Sequence, residues 1–94
     1  MSPRWATVGG AGLYFYASEP HQRPHVDVVG PDWNAKIALD TFEVLVSSGK
    51  VPPKVIRRTV ELLREHQDEA IAAFHATGEH RFPGTLESGE NDRD

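Results

Sequence analysis

The sequence predicts an α+β fold, in which a small antiparallel β-meander packs one face against a single long C-terminal α-helix. Three observations predict this fold. Short apolar runs with period-two alternation occupy residues 5–47 and are separated by glycine and proline turns. From residue 53 onward the apolar period becomes that of a helix. The chain has 94 residues, which is the length of one domain.

The strands are predicted to follow one another through short connections. Gly9 and Gly10 mark the first turn, and Gly30 begins the third connection. The five predicted strands are residues 5–8, 13–17, 25–29, 35–39 and 41–47. Alternation along them directs the following side chains toward the helix: Leu13, Phe15, Val26, Val28, Ile37, Leu39, Val44 and Val46.

The helix is predicted from residue 53 to about residue 76, with proline tolerated in its first turn. Its apolar stripe consists of Ile56, Val60, Leu63, Ala70, Ile71 and Phe74. Gln67 interrupts this stripe, so the helix bends there, or Gln67 is buried with partners, or that turn overhangs the sheet. A basic patch on the helix is formed by Lys54, Arg57, Arg58 and Arg64. It predicts either a solvated helix face or a docking surface for an acidic partner.

Composition excludes several classes of protein. The chain has no cysteine, so a disulfide framework and a thiolate zinc site are both excluded. It has no run of about 18 apolar residues and no secretory signal pattern, so we expect a cytoplasmic protein without a membrane partner. The net charge of −4 disfavours a dedicated nucleic-acid binder.

The charge is distributed unevenly along the chain. Residues 85–94 hold four acidic side chains and one basic one, and we expect them to form a disordered tail. Residues 1–4 are expected to be flexible, which leaves residues 5–84 as the single α+β domain. Within that domain, residues 50–66 carry five basic and two acidic side chains. The acidic balance therefore says little about the partners of the folded part.

Titratable side chains converge on the sheet face predicted to point away from the helix. This face collects Tyr14, Tyr16, His25, Asp27, Lys36 and Asp40, with Glu19, His21 and Arg23 in the loop at its edge. One interpretation is ordinary half-exposed strands, whose outer positions are polar. A second is a metal site built on His21, His25 and Asp27. The H-x3-H spacing runs through a proline-bounded loop and not a helix, so no bound metal or cofactor is predicted.

The third interpretation is acid–base chemistry on a phosphate ester. His25, His21, Asp27 and Lys36 would be the catalytic residues, since imidazole titrates near neutrality and a cation stabilises a charged transition state. The binding face of such a site would be Tyr14, Tyr16, Glu19 and Arg23.

Four motifs, taken in order, resemble one family of small bacterial proteins. They are Leu13-Tyr14-Phe15-Tyr16, Arg23-Pro24-His25-Val26-Asp27-Val28, Gly49-Lys50-Val51-Pro52, and His66-Gln67-Asp68-Glu69-Ala70 followed by Phe74 at a tryptophan position. Over roughly residues 5–84 the chain resembles the family known as domain of unknown function 4160. Asp27 stands where the family pattern has a second histidine, and the loop around Pro20 is one residue longer.

The resemblance implies a function class without a settled activity. Members of the family look like components of toxin–antitoxin or similar two-gene systems. We therefore expect a protein-interaction module, the toxin component of such a pair, whose partner is the small protein encoded by a neighbouring gene. The resemblance also singles out His66 and Glu69 as a helix motif. The alternative is a ribonuclease-like phosphoester enzyme, or a metal-binding protein, that uses His21, His25 and Asp27. Because a small sheet leaves open edges, self-association through a strand edge is a further expectation.

Overall fold

The computed structural model describes residues 4–16 and 23–78. They form five strands and two helices: β1 (Ala6–Val8), β2 (Ala11–Tyr14), β3 (His25–Val29), β4 (Asn34–Ala38), β5 (Val44–Ser48), α1 (Pro53–Glu65) and α2 (Gln67–Gly78). The α+β prediction is confirmed, but the single long helix is wrong, because the helical segment is two pieces. The predicted acidic tail, Glu19 and His21 lie outside the described residues.

The sheet is an antiparallel meander in which β1 to β5 lie side by side in chain order. Val8 pairs with Ala11, so Gly9 and Gly10 form a two-residue hairpin turn. Their φ angles are 54° and 81°. A type I′ turn needs positive φ at both central residues, which explains the two glycines.

The fifth strand begins later than predicted, because the residues before it form the turn of the β4–β5 hairpin. The Phe42 amide donates to the Ala38 carbonyl at 3.0 Å, and the Ala38 amide donates to the Glu43 carbonyl at 2.8 Å. Phe42 has a φ of 64°, a left-handed conformation that is uncommon outside glycine and asparagine. Farther along β5 the register skips Leu45, which makes a bulge in the strand.

The core lies between the sheet and the helices. Six strand side chains that were predicted to face the helices are buried: Leu13, Phe15, Val26, Val28, Ile37 and Leu39. On the helices, the buried residues are Val55, Thr59, Leu62, Leu63, Ala70, Ala73, Phe74 and Ala76. Ile56, Val60 and Ile71 pack against this core but are only partly buried. The predicted stripe was drawn through one continuous helix, and the break at His66 gives each helix its own buried face.

Val44 and Val46 are not in the core, contrary to the sequence prediction. All five residues of β5 are exposed, and Val44, Leu45 and Val46 retain 43%, 37% and 50% of their accessible surface. The physical reason is the placement of the helices, since α1 packs against β1 and α2 against β3. The fifth strand therefore extends beyond the layer that the helices form.

The helical segment breaks at His66, where φ is −125° and ψ is 34°. The side chain of Gln67 then reaches the sheet, where its Nε2 donates to the Leu39 carbonyl at 2.9 Å. The helix thus changes course and Gln67 is partnered, which resolves two of the alternatives left by the sequence. Neither described helix is long and apolar enough to cross a bilayer.

The His66 and Glu69 motif marks the start of α2. The His66 Nδ1–H donates to Glu69 Oε1 at 2.8 Å, and the Ala70 amide donates to the His66 carbonyl at 2.9 Å. Asp68 and Glu69 place two acids in the first turn, where they interact favourably with the helix dipole. The His66–Glu69 contact is a hydrogen bond between side chains three residues apart, while the backbone N–H of His66 donates to the Leu62 carbonyl of α1 at 3.1 Å.

We expect Gln67→Ala to lower the free energy of unfolding by about 1 kcal/mol, since the Leu39 carbonyl loses its donor. Urea unfolding followed by circular dichroism measures the change. Gln67→Met is the matched variant, because it keeps most of the side-chain volume and removes only the donor. A methionine variant as stable as the wild type would contradict a role for the hydrogen bond.

Candidate functional site

A buried histidine and a largely buried aspartate meet on β3. Alternation places His25 and Asp27 on the same side of the strand, and the His25 Nε2 lies 3.6 Å from Asp27 Oδ1. The His25 side chain is 3% exposed and that of Asp27 is 14% exposed. We call these two residues the His–Asp pair.

The structure places His25 beside Asp27, as the alternation predicted, but buries it. Its ring centroid lies 5.5 Å from that of Phe74 in α2. The helix therefore covers this end of β3 and encloses the imidazole. Its cross-strand neighbour Ala38 is also fully buried.

The hydrogen bonds of His25 define its tautomer. The Nδ1 atom lies 2.9 Å from the Arg23 carbonyl. A carbonyl oxygen only accepts, so Nδ1 carries the hydrogen and Nε2 of the neutral ring is an acceptor. His25 Nε2 and Asp27 Oδ1 are both buried without a hydrogen-bond partner among the described residues. Two facing acceptors need a proton between them, so one proton on the pair relieves the mismatch.

The surroundings of Asp27 favour its protonated form. Burial raises the pKa of Asp27 above its ordinary value, against the opposing influence of Lys36 and His25. Lys36 lies directly across from Asp27 on β4, and Tyr14 lies across from it on β2. The sequence thus brings a carboxyl, an imidazole and an ammonium group to the middle of the sheet.

Two tyrosines extend this group of residues along β2 and beyond its end. The rings of Tyr14 and Tyr16 stack with centroids 5.9 Å apart. The ring of Tyr14 also lies over Gly12, where an added Cβ would come within 2.6 Å of it. Burial, then the nearby Asp27 carboxyl, raises the pKa of Tyr16. The predicted grouping of Tyr14, Tyr16, Asp27 and Lys36 is therefore present.

Arg23 and Asp40 form a separate cluster at the β4–β5 turn. The Arg23 Nη2 donates to Asp40 Oδ1 at 3.0 Å and to Thr41 Oγ1 at 3.0 Å. Its Nη1 lies 3.6 Å from Glu43 Oε1. The hydrogen bond from Arg23 lowers the pKa of Asp40. This arginine is engaged in holding the turn, and sequence reasoning missed its partners Thr41 and Glu43.

The basic patch lies along α1 as predicted, with its members exposed or half-exposed. The Arg64 guanidinium stands over the Phe42 ring, 5.2 Å from its centroid. That contact joins α1 to the β4–β5 turn and gives one of the four basic residues a structural role.

A metal site is not assembled within the described part of the chain. Residues 4–16 and 23–78 contain no group of three histidine, aspartate or glutamate side chains placed to hold an ion. His25 and Asp27 would supply two ligands, and His21 falls outside the described residues.

The comparison with known proteins gives one match. The family model described as Domain of unknown function (DUF4160) matches residues 10–75. No curated protein and no solved structure matches the chain. The matched region includes the strands β2 to β5, the His–Asp pair, α1 and most of α2. The chain belongs to the domain of unknown function 4160 family.

Proposed function

We propose that this protein is a protein-interaction module that binds its partner along the open edge of β5. The observation that carries the proposal is the exposure of the whole strand, three of whose five residues are Val44, Leu45 and Val46. Scattered exposed apolar residues are common, but three in a row on an edge that no other described strand pairs with are not. An extended segment of a partner can add to such an edge through backbone hydrogen bonds.

The opposite edge of the sheet is less suited to binding. β1 has only three residues, and its side chains Ala6 and Val8 are buried at 0% and 2% exposure. The helix α1 packs against this strand. Pairing at β1 would therefore offer few backbone groups and little apolar surface, whereas β5 offers both.

The resemblance supports a biological setting for this module. We propose that the protein is one component, the toxin, of a toxin–antitoxin-like two-gene system, and that the partner is the small protein encoded beside it. Co-expression of the two proteins followed by affinity capture tests this. We expect a complex at micromolar concentration, and its absence would contradict the proposal.

The variant Val46→Glu makes this test specific to β5. Lys36 lies across from Val46, so the new carboxylate has a cation beside it within the sheet. A partner that covered position 46 would have to bury this carboxylate, which opposes binding. The matched control is Val29→Glu, since Val29 is 39% exposed but lies in β3, inside the sheet. We expect capture to be lost with Val46→Glu and kept with Val29→Glu.

The geometry of the His–Asp pair supports a second candidate function, acid–base chemistry on a phosphate ester. A carboxyl with a raised pKa beside an imidazole and Lys36 is suited to holding and transferring a proton. In this conformation the His25 Nε2 is buried, so substrate would meet the partly exposed Asp27 first. Asp27, whose raised pKa favours the protonated carboxyl, would then act as the acid, and His25 would position it.

An RNA cleavage assay tests this second candidate. We expect a bell-shaped pH profile that collapses in His25→Ala and in Asp27→Asn, while an exposed variant such as Glu61→Gln retains the activity. Intact RNA after long incubation with the wild-type protein would contradict it. A metal-binding form of the candidate would require a third ligand from outside the described residues. Elemental analysis of untagged protein tests that form, and sub-stoichiometric metal would exclude it.

A further inference from the structure

We propose that the open face of the sheet binds single-stranded RNA, whose bases stack on the rings of Tyr14 and Tyr16. We call these two residues the tyrosine platform. The inference rests on the second candidate function, because it names single-stranded RNA as the substrate class for that chemistry. Binding itself requires no cleavage, so the two proposals can be tested apart.

The tyrosine platform presents aromatic surface to solvent. Tyr14 alternates with the buried Leu13, so its ring lies on the side of the sheet opposite the core. The rings of Tyr14 and Tyr16 are nearly parallel, with 19° between their planes. Tyr16 is 41% exposed, and Tyr14 is partly exposed. Every nucleic-acid base has a flat π-face that can extend such a stack, and the bases of a single strand are free to do so.

Gly12 gives the Tyr14 ring its place. A Cβ added at position 12 would meet Cε2 and Oη of Tyr14 at 2.6 and 2.8 Å. The backbone itself does not require glycine there, since Gly12 is not among the glycines with a positive φ. Glycine inside a strand is less stable than alanine and often marks a close approach. Gly12 therefore serves the position of the aromatic ring at the expense of strand stability.

Two cations flank the platform across the sheet. Arg4, before β1, donates from Nε to the Tyr14 hydroxyl at 3.4 Å and from Nη1 to the Thr7 hydroxyl at 3.3 Å. Both acceptors are neutral, so the charge of Arg4 meets no carboxylate within residues 4–16 and 23–78. Lys36 is partly exposed on β4, on the other side of the platform. The two cations are placed to meet the phosphates of a strand whose bases lie on the rings.

Polar groups beside the rings favour RNA over DNA. The Tyr14 hydroxyl accepts from Arg4 and keeps its own hydrogen available to donate. The Asp27 side chain lies across from Tyr14 and is 14% exposed. A ribose 2′-hydroxyl both donates and accepts, so it can bond to these two groups, whereas deoxyribose cannot.

Fluorescence anisotropy with a labelled oligouridylate tests the binding. At about 50 mM salt we expect a dissociation constant on the order of 10 µM for the RNA and weaker binding of the matching DNA. Two phosphate contacts predict a slope of about −1.4 for log K against log salt, since each contact to a single strand contributes about −0.7. No binding up to about 500 µM protein, or equal binding of the DNA, would overturn the proposal.

Variants of the platform make the test specific. Tyr16→Ala should weaken binding at least about fivefold, the typical loss of one stacked base, and Tyr16→Phe should restore most of it. Gly12→Ala should weaken binding similarly by displacing the Tyr14 ring. Its free energy of unfolding should not fall, because alanine suits a strand interior better than glycine. A Gly12→Ala variant that binds as tightly as the wild type would contradict the platform.

Charge variants locate the RNA on the sheet. Arg4→Gln should weaken binding and reduce the salt slope by about 0.7. The matched control is Arg57→Gln, which removes an exposed cation from α1, in the other layer of the fold. It should leave both quantities unchanged. Sensitivity to Arg57→Gln without sensitivity to Arg4→Gln would place the RNA on the helix and overturn the proposal.

Gel analysis of the RNA after each titration separates binding from catalysis. Binding that depends on Tyr16 and Gly12 while the RNA stays intact would support the platform and remove only the catalytic candidate. Cleavage that is insensitive to Tyr16→Ala and Gly12→Ala would keep the catalytic candidate and overturn the platform.

Discussion

Replacing Phe74 with alanine is expected to lower the free energy of unfolding by about 3–5 kcal/mol, the typical cost of removing a buried phenylalanine ring. Phe74 is 6% exposed and belongs to the main core. Its ring also covers His25, with 5.5 Å between the ring centroids. The variant would create a cavity and open the His–Asp pair to water. Urea unfolding at neutral pH measures the loss.

Two further substitutions separate packing from the general effect of mutation. Phe74→Leu keeps most of the apolar volume, so we expect a cost of about 1–2 kcal/mol from imperfect packing and the lost ring contact. His75→Ala changes the adjacent, exposed residue and should cost about 0.5 kcal/mol or less. A Phe74→Ala variant that is no less stable than His75→Ala would contradict the packing of α2 on the end of β3.

Much of the sheet could be predicted because local chemistry determines it. β3 begins and ends at the predicted residues, His25 and Val29, since Pro24 and Gly30 bound a run of high strand propensity. The two-glycine turn fixes the first hairpin in the same way. Short connections then leave a meander as the simplest order for the strands.

The errors concern positions that depend on distant parts of the chain. Val44 and Val46 have the composition of buried strand residues, but their burial depends on where the helices lie across the sheet. His25 was assigned to the open face because alternation along a strand carries no information about α2 covering its end. In both cases the local pattern was read correctly, and the tertiary arrangement decided the outcome.

The helix break shows where a sequence signal was present but incomplete. Gln67 in the middle of an apolar stripe indicated an irregularity, but it could not indicate which backbone group it would meet. That group is the Leu39 carbonyl, 28 residues earlier in the chain. The residues of the candidate site were likewise named from their types, while the 3.6 Å approach of His25 to Asp27 required the packed structure. Strand spacing alone puts such i and i+2 neighbours about 7 Å apart.

The buried His–Asp pair lowers the stability of this fold. A buried acceptor without a donor costs about 1–3 kcal/mol. The pair has two such atoms, His25 Nε2 and Asp27 Oδ1. A neutral site of the same shape that supplied a donor would therefore be more stable than the natural one.

Asp27→Asn is such a change, and we expect it to raise the free energy of unfolding by about 1–2 kcal/mol at pH 7. The asparagine amide can donate to the Nε2 of His25, whose Nδ1–H already donates to the Arg23 carbonyl. The variant also removes a carboxylate that burial disfavours. The variant loses the attraction between Asp27 and Lys36, but this attraction lowers the pKa of Asp27 less than burial raises it.

The sign of the pH dependence follows from the raised pKa of Asp27. Between the unfolded and the native pKa, the native state binds more protons than the unfolded state, so wild-type stability falls as pH rises through this window. The asparagine variant lacks this decline. Its advantage over the wild type should therefore be smallest in acid, grow as pH rises above the unfolded value of about 4, and level off above the native pKa of Asp27.

Urea unfolding of both proteins at a series of pH values from about 4 to about 8 measures this difference. Asp32→Asn is the control, because it removes a carboxylate from an exposed position in the β3–β4 turn. The free energy of unfolding of Asp32→Asn should differ little from that of the wild type, and this difference should be nearly independent of pH. An Asp27→Asn variant that is less stable than the wild type at pH 7 would show that the charged carboxylate is well satisfied in the native state. The assignment of facing acceptors in the His–Asp pair would then be wrong.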